Sequence, residues 1–248
     1  MQNQEILELA NLRIDGRQFD QIRKLKHNIG LIPKADGSAY LEHGLNKVLV
    51  ILNGPQEIRK RSDGNDEKCI ITTKVLFAPF SSGRERKVRK PGDRRVIEME
   101  HNITEVLESI VMLDLYPKSE IQLTVHILEN DGSVFCTVVN AIYLALMTAG
   151  ISMYDSFIAC SVGYLYHNSQ IITDLNQLEI FGNENTIYLP LVMKGKSEEV
   201  IFMECNHRCQ LNLVEELLQQ AIVGCRSMRS YFETAIKEYM LSQLENQV

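Results

Sequence analysis

Short apolar runs of strand type recur along this chain in two successive sets, each backed by helical stretches, and that rhythm limits the folds open to it. In the first set, Lys47–Leu52 is apolar and rich in β-branched side chains, as a buried strand requires, and Asn53-Gly54-Pro55 is expected to stop it. Ile70–Ala78 predicts another strand. Ile121–Leu128 alternates apolar and polar positions, which predicts a strand with one buried face. Between them Val96, Met99, Ile103, Val106, Leu107 and Ile110 recur at spacings of three and four, giving one apolar helical stripe with Asp93 as its N-cap. A second, mostly apolar helix is predicted from about Thr137 to Ala149, closed by Gly150. Upstream, Arg13-Ile14-Asp15-Gly16-Arg17 reads as a polar turn and Asp36-Gly37 as a tight hairpin turn.

The second set comprises predicted strands at Phe157–Val162, Ser169–Asp174, Thr186–Val192 and Glu199–Glu204. A long helix follows from about Asn212, where Leu213, Leu217, Ala221 and Cys225, then Met228, Phe232, Ile236 and Met240, keep a helical period. Two β-rich halves, each with its helices, predict an α+β protein of pseudo-duplicated design. The halves are expected at residues 10–150 and 151–245, meeting near Gly150–Met153. No low-complexity linker separates them, so they should pack as one body.

At 248 residues the chain can bury a sizeable core. No apolar run approaches the ~20 residues that span a bilayer. The opening residues Met1 to Glu8 show no basic stretch followed by an apolar one, so a secretory leader is not expected. Cys69, Cys136, Cys160, Cys205, Cys209 and Cys225 are scattered and mostly embedded in apolar sequence, as reduced core thiols would be. Cys205, His207 and Cys209 would project from one face of an extended segment. A zinc site, however, wants four ligands, usually as two separated pairs, and no second pair exists. Ordinary packing is therefore expected there, with no metal and no cofactor. His126 lies on the polar phase of its strand without an evident catalytic partner.

Charge is distributed unevenly. The chain carries −6 overall, yet Arg84 to Arg95 holds seven of its 26 basic residues against only two acids. Gly83, Pro91 and Gly92 mark this stretch as loop, and basic density of this kind suits a phosphate backbone. Asp93 as N-cap places Arg94 and Arg95 in a first helical turn, where cations oppose the macrodipole at about 0.3–1 kcal/mol each. Free backbone N–H groups and two guanidinium forks converging there would hold an anion. Arg59, Lys60 and Arg61 form a second basic cluster.

Several short motifs occur in a telling order: Arg13-x-Asp15-Gly16-Arg17, Ala35-Asp36-Gly37-Ser38-Ala39, Asn53-Gly54-Pro55, Gly92-Asp93-Arg94-Arg95, Leu115-Tyr116-Pro117, Asp131-Gly132 and Asp155. In this order and spacing the chain resembles the RNase PH family over about residues 10–235. The stretches 29–42 and 80–87 are especially similar to exosome ring subunits related to the archaeal one that bears a phosphorolytic site. The resemblance implies an RNase PH-like fold, of the ribosomal protein S5 domain 2-like type. It also implies a hetero-hexameric ring of RNase PH-type subunits, S1/KH-type caps, an associated hydrolytic exoribonuclease and single-stranded RNA as partners, with no membrane. The setting it implies is the nucleus, including the nucleolus, and the cytoplasm.

Active members of the family cleave RNA from the 3′ end with inorganic phosphate as nucleophile. They use arginines on the RNA, a phosphate cradle reading Asp-(Gly/Ala)-Gly-Thr-Arg, and two acids six residues apart. By that resemblance Arg94 and Arg95 match the RNA-binding pair. The cradle here reads Asp131-Gly132-Ser133-Val134-Phe135, with Phe135 where the phosphate-holding arginine should be. Asp174 matches one acid as a vestige, but Ile180 stands six residues on and Glu179 is one place out of register. The expectation is a non-catalytic, RNA-guiding subunit supporting RNA processing and degradation, with Arg59, Lys60, Arg61, Arg84, Arg86, Lys87, Arg89, Arg94 and Arg95 along the RNA path. Two alternatives remain open: a phosphorolytic exoribonuclease in which Glu179 replaces the missing acid and a partner lends an arginine, and a purely architectural subunit whose basic loop meets a protein.

Overall fold

The computed structural model describes residues 12–58, 68–82, 86, 92–165, 170–182, 186–205 and 207–245. Five strands form one sheet: β1 (Leu25–Ile29), β2 (Gly37–His43), β3 (Asn46–Glu57), β4 (Ile70–Phe77) and β5 (Ser119–Glu129), in the order β1-β2-β3-β5-β4. All neighbours are antiparallel except β4 and β5, which run parallel. Parallel neighbours need a crossover, and α1 (Arg94–Ile110) supplies it. The basic stretch thus falls in the connection from β4 into α1. Its stripe residues Ile103, Val106, Leu107 and Ile110 are buried, and the helix docks on β4 through Glu100, whose Oε1 accepts from Val75 N at 2.8 Å.

Helix α2 (Val134–Ala149) is the shared core of the molecule. Twelve of its 16 residues, from Val134 to Leu146, are buried. It packs on β2 and β3 of the first sheet and on β6 (Phe157–Leu165) and β8 (Ile187–Lys194) of a second, antiparallel one ordered β7-β6-β8-β9. In that sheet β7 is Gln170–Thr173 and β9 is Val200–Met203. A helix apolar all round belongs between two layers. Gly37 permits the close approach to β2, since a Cβ there would lie 2.4 Å from Ala145 O. On the other side Asn140 reads the backbone of β6, donating to Ala159 O and accepting from Ala159 N, both at 2.8 Å. Short helix α3 (Gln177–Gly182) follows β7, and α4 (Leu211–Glu245) closes the fold, burying Leu217, Ala221, Cys225, Met228 and Phe232. Among the described residues, no helix is long and apolar enough to cross a membrane.

The α+β class and most elements match the expectation; four details differ. Asp36-Gly37 is not a tight hairpin but the end of the β1–β2 connection, where Asp36 Oδ2 accepts from Gly54 N at 2.7 Å. The two-residue hairpin is Gly44-Leu45, with His43 paired to Asn46 and Gly44 at φ 62°. Asn53-Gly54-Pro55 does not stop β3: the register shifts between Asn53 and Gln56 because Pro55 has no N–H, and pairing resumes to Glu57. Met240, Leu241 and Leu244 keep the helical period of α4 yet stay exposed.

Candidate nucleic-acid interface

At the start of α1, Asp93 caps as expected: its Oδ1 accepts from Arg95 N at 3.1 Å, with φ −61° and ψ 116°. The first turn holds no acid. Arg94 and Arg95 are exposed, as is Arg86, and none of the three makes a side-chain hydrogen bond or ion pair among the described residues. The three are exposed without a charged partner among the described residues, Arg86 between β4 and α1 and the other two in the first turn of α1. Arg59, Lys60, Arg61, Arg84, Lys87 and Arg89 lie outside the described residues.

The turn into α2 faces a different way. Ser133 sits at φ 53°, and its hydroxyl bonds inward, to Leu175 O at 2.9 Å and Ser161 Oγ at 2.6 Å. Gly132, at φ 78°, is pressed against the backbone of Asn176 and Gln177, where a Cβ would come within 2.6 Å. The first turn of α2 offers Val134, Phe135 and Cys136 and no cation. Phe135, half-buried, packs against Phe202 of β9 with ring centroids 5.0 Å apart. That contact is apolar, so it offers nothing to an anion.

Asp174, the acid picked out as a vestige, is wholly buried and leaves β7 at φ 59°. Arg23 takes hold of it three times: its backbone N and Nε reach Oδ2 at 2.8 and 2.9 Å, and its Nη2 reaches Oδ1 at 2.7 Å. His43 Nε2 lies 2.9 Å from Oδ2, and Arg17 Nη1 3.6 Å away. Burial works against the charged carboxylate, but His43 and Arg23 outweigh it and hold Asp174 well below the usual carboxylate range. Asp131 behaves oppositely. Burial raises it, despite Arg23 at 3.6 Å.

Glu179 is equally committed. Arg13 grips it with two parallel bonds, Nε to Oε1 at 2.8 Å and Nη2 to Oε2 at 2.5 Å, and both side chains are sealed from water. Glu179 Oε2 also accepts from Asn176 N, while Asn176 Oδ1 accepts from Glu179 N, both at 2.9 Å. This reciprocal arrangement caps α3, and the spacing Asn176-x-x-Glu179 is the sequence signal for a helix too short to show a periodicity. Ile180 is half-buried on the same helix, with its N–H donating to Asn176 O. On sequence alone Arg13 and Arg17 read as turn residues, and Arg23 carries no signal at all. The structure makes them the cationic half of a buried network joining the N-terminal segment, β2, the turn before α2, and α3. Cys205 and Cys209 are half-exposed rather than core thiols, with their sulfurs 3.7 Å apart.

A family model described as the 3′ exoribonuclease family (RNase PH), domain 1, matches residues 21–152, from the approach to β1 through the end of α2. The chain belongs to the RNase PH family. Relatives at full length agree. The exosome complex component SKI6 of Saccharomyces cerevisiae is 32% identical over 99% of this chain and 98% of its own. The exosome complex component Rrp41 of Archaeoglobus fulgidus is 33% identical over 89% of this chain and 84% of its own. A solved structure of the Archaeoglobus fulgidus exosome with RNA bound to the active site superposes with a TM-score of 0.76 at 23% identity, covering 92% of this chain and 95% of the other. The RNase PH fold is thereby fixed for this chain, and the arginine pair of α1 lies inside the span matched by the family model.

Proposed function

We propose that this chain is a non-catalytic subunit of an RNA exosome ring, one that guides single-stranded RNA toward a separate hydrolytic nuclease. The observation that carries this reading is the fate of the acids. Phosphorolysis needs cations to bring a phosphate dianion onto a phosphodiester and acids to assist the leaving 3′-oxygen. Here Asp174 and Glu179 are both buried and neutralised from within, by Arg23 and by Arg13. Glu179 therefore has no route to replace a missing acid, and Phe135, which the resemblance aligns with the phosphate-holding arginine, packs on Phe202. Arg86, Arg94 and Arg95, exposed and without an ion-pair partner among the described residues, supply what a conduit needs: charge that tracks a backbone without reading sequence. The names of the relatives, each an exosome complex component, support membership of an exosome; a ring with other RNase PH-type subunits, S1/KH-type caps, a hydrolytic partner and a nuclear and cytoplasmic setting belong to the same proposal.

The test is release of nucleoside diphosphate from 3′-labelled single-stranded RNA by the subunit assembled with an RNase PH-type partner, with and without inorganic phosphate and magnesium. No phosphate-dependent release is expected, with RNA binding retained. Release by the unaltered chain would overturn the non-catalytic reading. A second arm reverses charge at Arg94 and Arg95: unchanged RNA affinity there would favour the architectural role instead. Asp174→Ala is a poor probe of chemistry, because it strands the buried Arg23.

A further inference from the structure

Two cysteine sulfurs meet between β9 and α4. We infer that Cys205 and Cys209 are a reversible dithiol–disulfide pair, oxidised by a peroxide and restored by a dithiol reductant. The two Sγ atoms are 3.7 Å apart, in contact but unbonded, between the end of β9 and the start of α4. A disulfide requires about 2.05 Å between sulfurs, a closure within reach of side-chain rotation and small backbone adjustment in that connection. Both residues are half-exposed, so a small oxidant reaches them.

The same molecule supplies the contrast. Cys160 and Cys225 also lie together, but both are buried, and their mutual hydrogen bond, with burial behind it, pushes the Cys225 thiol well up. Cys69 and Cys136 are likewise buried. Among the described cysteines, the pair at the β9–α4 connection alone combines contact with access. A metal is the poorer occupant: among the described residues no third His, Cys, Asp or Glu joins the two sulfurs, and zinc wants four ligands. Oxidation needs just two.

Either sulfur can begin the reaction, since either can donate to the other across the 3.7 Å contact. Burial and contact with Cys205 push the Cys209 thiol up, keeping its proton in place. From Cys205, whose S–H donates to His207 O at 3.4 Å, the reaction begins when that thiol gives up its proton. Its thiolate attacks one peroxide oxygen, the O–O bond breaks, and the second oxygen leaves as water; Cys205 becomes a sulfenic acid. Cys209 sulfur then attacks Cys205 sulfur, the S–O bond breaks and a second water departs. Two thiols have lost two electrons and two protons, and the peroxide is reduced to two waters. A dithiol reverses the step by exchange through a mixed disulfide.

The experiment uses the full chain, treated with hydrogen peroxide under native conditions, quenched with a maleimide and digested without reductant for mass spectrometry. The expected product links Cys205 to Cys209 with the loss of two hydrogens, and dithiothreitol restores both thiols. Cys69, Cys136, Cys160 and Cys225 should become alkylatable only on denaturation. In Cys209→Ser the linked product disappears and a sulfenic acid is trapped by dimedone at Cys205. Because both positions are partly exposed, this variant is expected to fold. Independent oxidation of each cysteine to sulfinic acid, linkage only between separate molecules, or two unreacted thiols at peroxide levels that oxidise glutathione would each overturn the inference.

Discussion

Arg13 and Arg23 in the interior, and Arg94 and Arg95 on the surface, are the same side chain in opposite circumstances. The first two are 3% and 6% exposed, each bound to a carboxylate by two or more charge-assisted hydrogen bonds. The second two stand in water at a helix N-terminus with no partner among the described residues. A guanidinium removed from water must be matched charge for charge, so the interior arginines have their anions built in. Surplus charge survives only where solvent or a ligand satisfies it. The difference separates the arginines that hold this fold together from those that keep their charge for solvent or a ligand.

Replacing Arg23 is the most severe way to break that contrast. Arg23→Ala leaves Asp174 buried beside His43 without its principal cation, and removal of one partner from such a pair costs about 3–5 kcal/mol. Against a typical total of about 5–15 kcal/mol, the variant should unfold at a much lower urea concentration or fail to fold. Arg23→Lys keeps the charge but gives up the fork that spans both carboxylate oxygens, so its urea midpoint should fall between the two. A Lys midpoint equal to that of Ala would mean that geometry, not charge, holds the cluster.

Acid titration probes the same cluster with the sequence intact. The folded pKa of Asp174 is depressed, so its contribution is fully present above the unfolded value of about 3.9 and disappears as pH falls through the folded value. The urea midpoint should hold near neutrality and drop below about pH 4, as Asp174 is driven toward protonation. Asp174→Asn, already weaker at neutral pH, should show a shallower decline. A parallel decline in the two proteins would place the acid sensitivity in other carboxylates.

Why is one half of the contrast legible in the sequence and the other not? Helix α1 can be read because its evidence is local: an apolar stripe at one period and Asp93 just ahead of the first turn. The exposed arginines then follow from helical geometry. The interior network spans the chain. Arg13 meets Glu179 166 positions away, and Arg23 meets Asp174 at 151. No window of sequence contains both partners, so Arg13 and Arg17 look like a turn and Asp174 looks like a remnant of chemistry. Its left-handed backbone and its burial are consequences of tertiary packing. Asn176-x-x-Glu179 is the one local clue, legible as a cap but not as the anchor of a buried ion pair.

Smaller in scale is Asp93→Ala. It removes the side-chain acceptor for Arg95 N at the head of α1, and loss of a cap of this kind costs about 1 kcal/mol. It also takes a negative charge from beside two arginines, so RNA affinity should rise slightly while the urea midpoint falls. If affinity falls together with the midpoint, the cap is needed to present the arginines, and helix order rather than bare charge governs binding.

The joint change Arg94→Ala, Arg95→Ala has the smallest expected effect on the fold and is the sharpest test of the contrast. Neither side chain touches a described partner, and removing two cations from a helix N-terminus relieves an unfavourable interaction with the macrodipole. The urea midpoint should therefore stay or rise slightly. Binding of single-stranded RNA by the assembled ring should weaken. The logarithm of its association constant should also depend less steeply on the logarithm of salt, by about 0.7 for each RNA phosphate no longer neutralised. Two such phosphates would reduce the slope by about 1.4, equally for RNAs of different sequence, because pairing with the backbone carries no base information. A stability loss like that of Arg23→Ala would show that the two settings are not distinct. A loss of affinity confined to particular sequences would show that these arginines read bases, as a sequence-tolerant conduit does not.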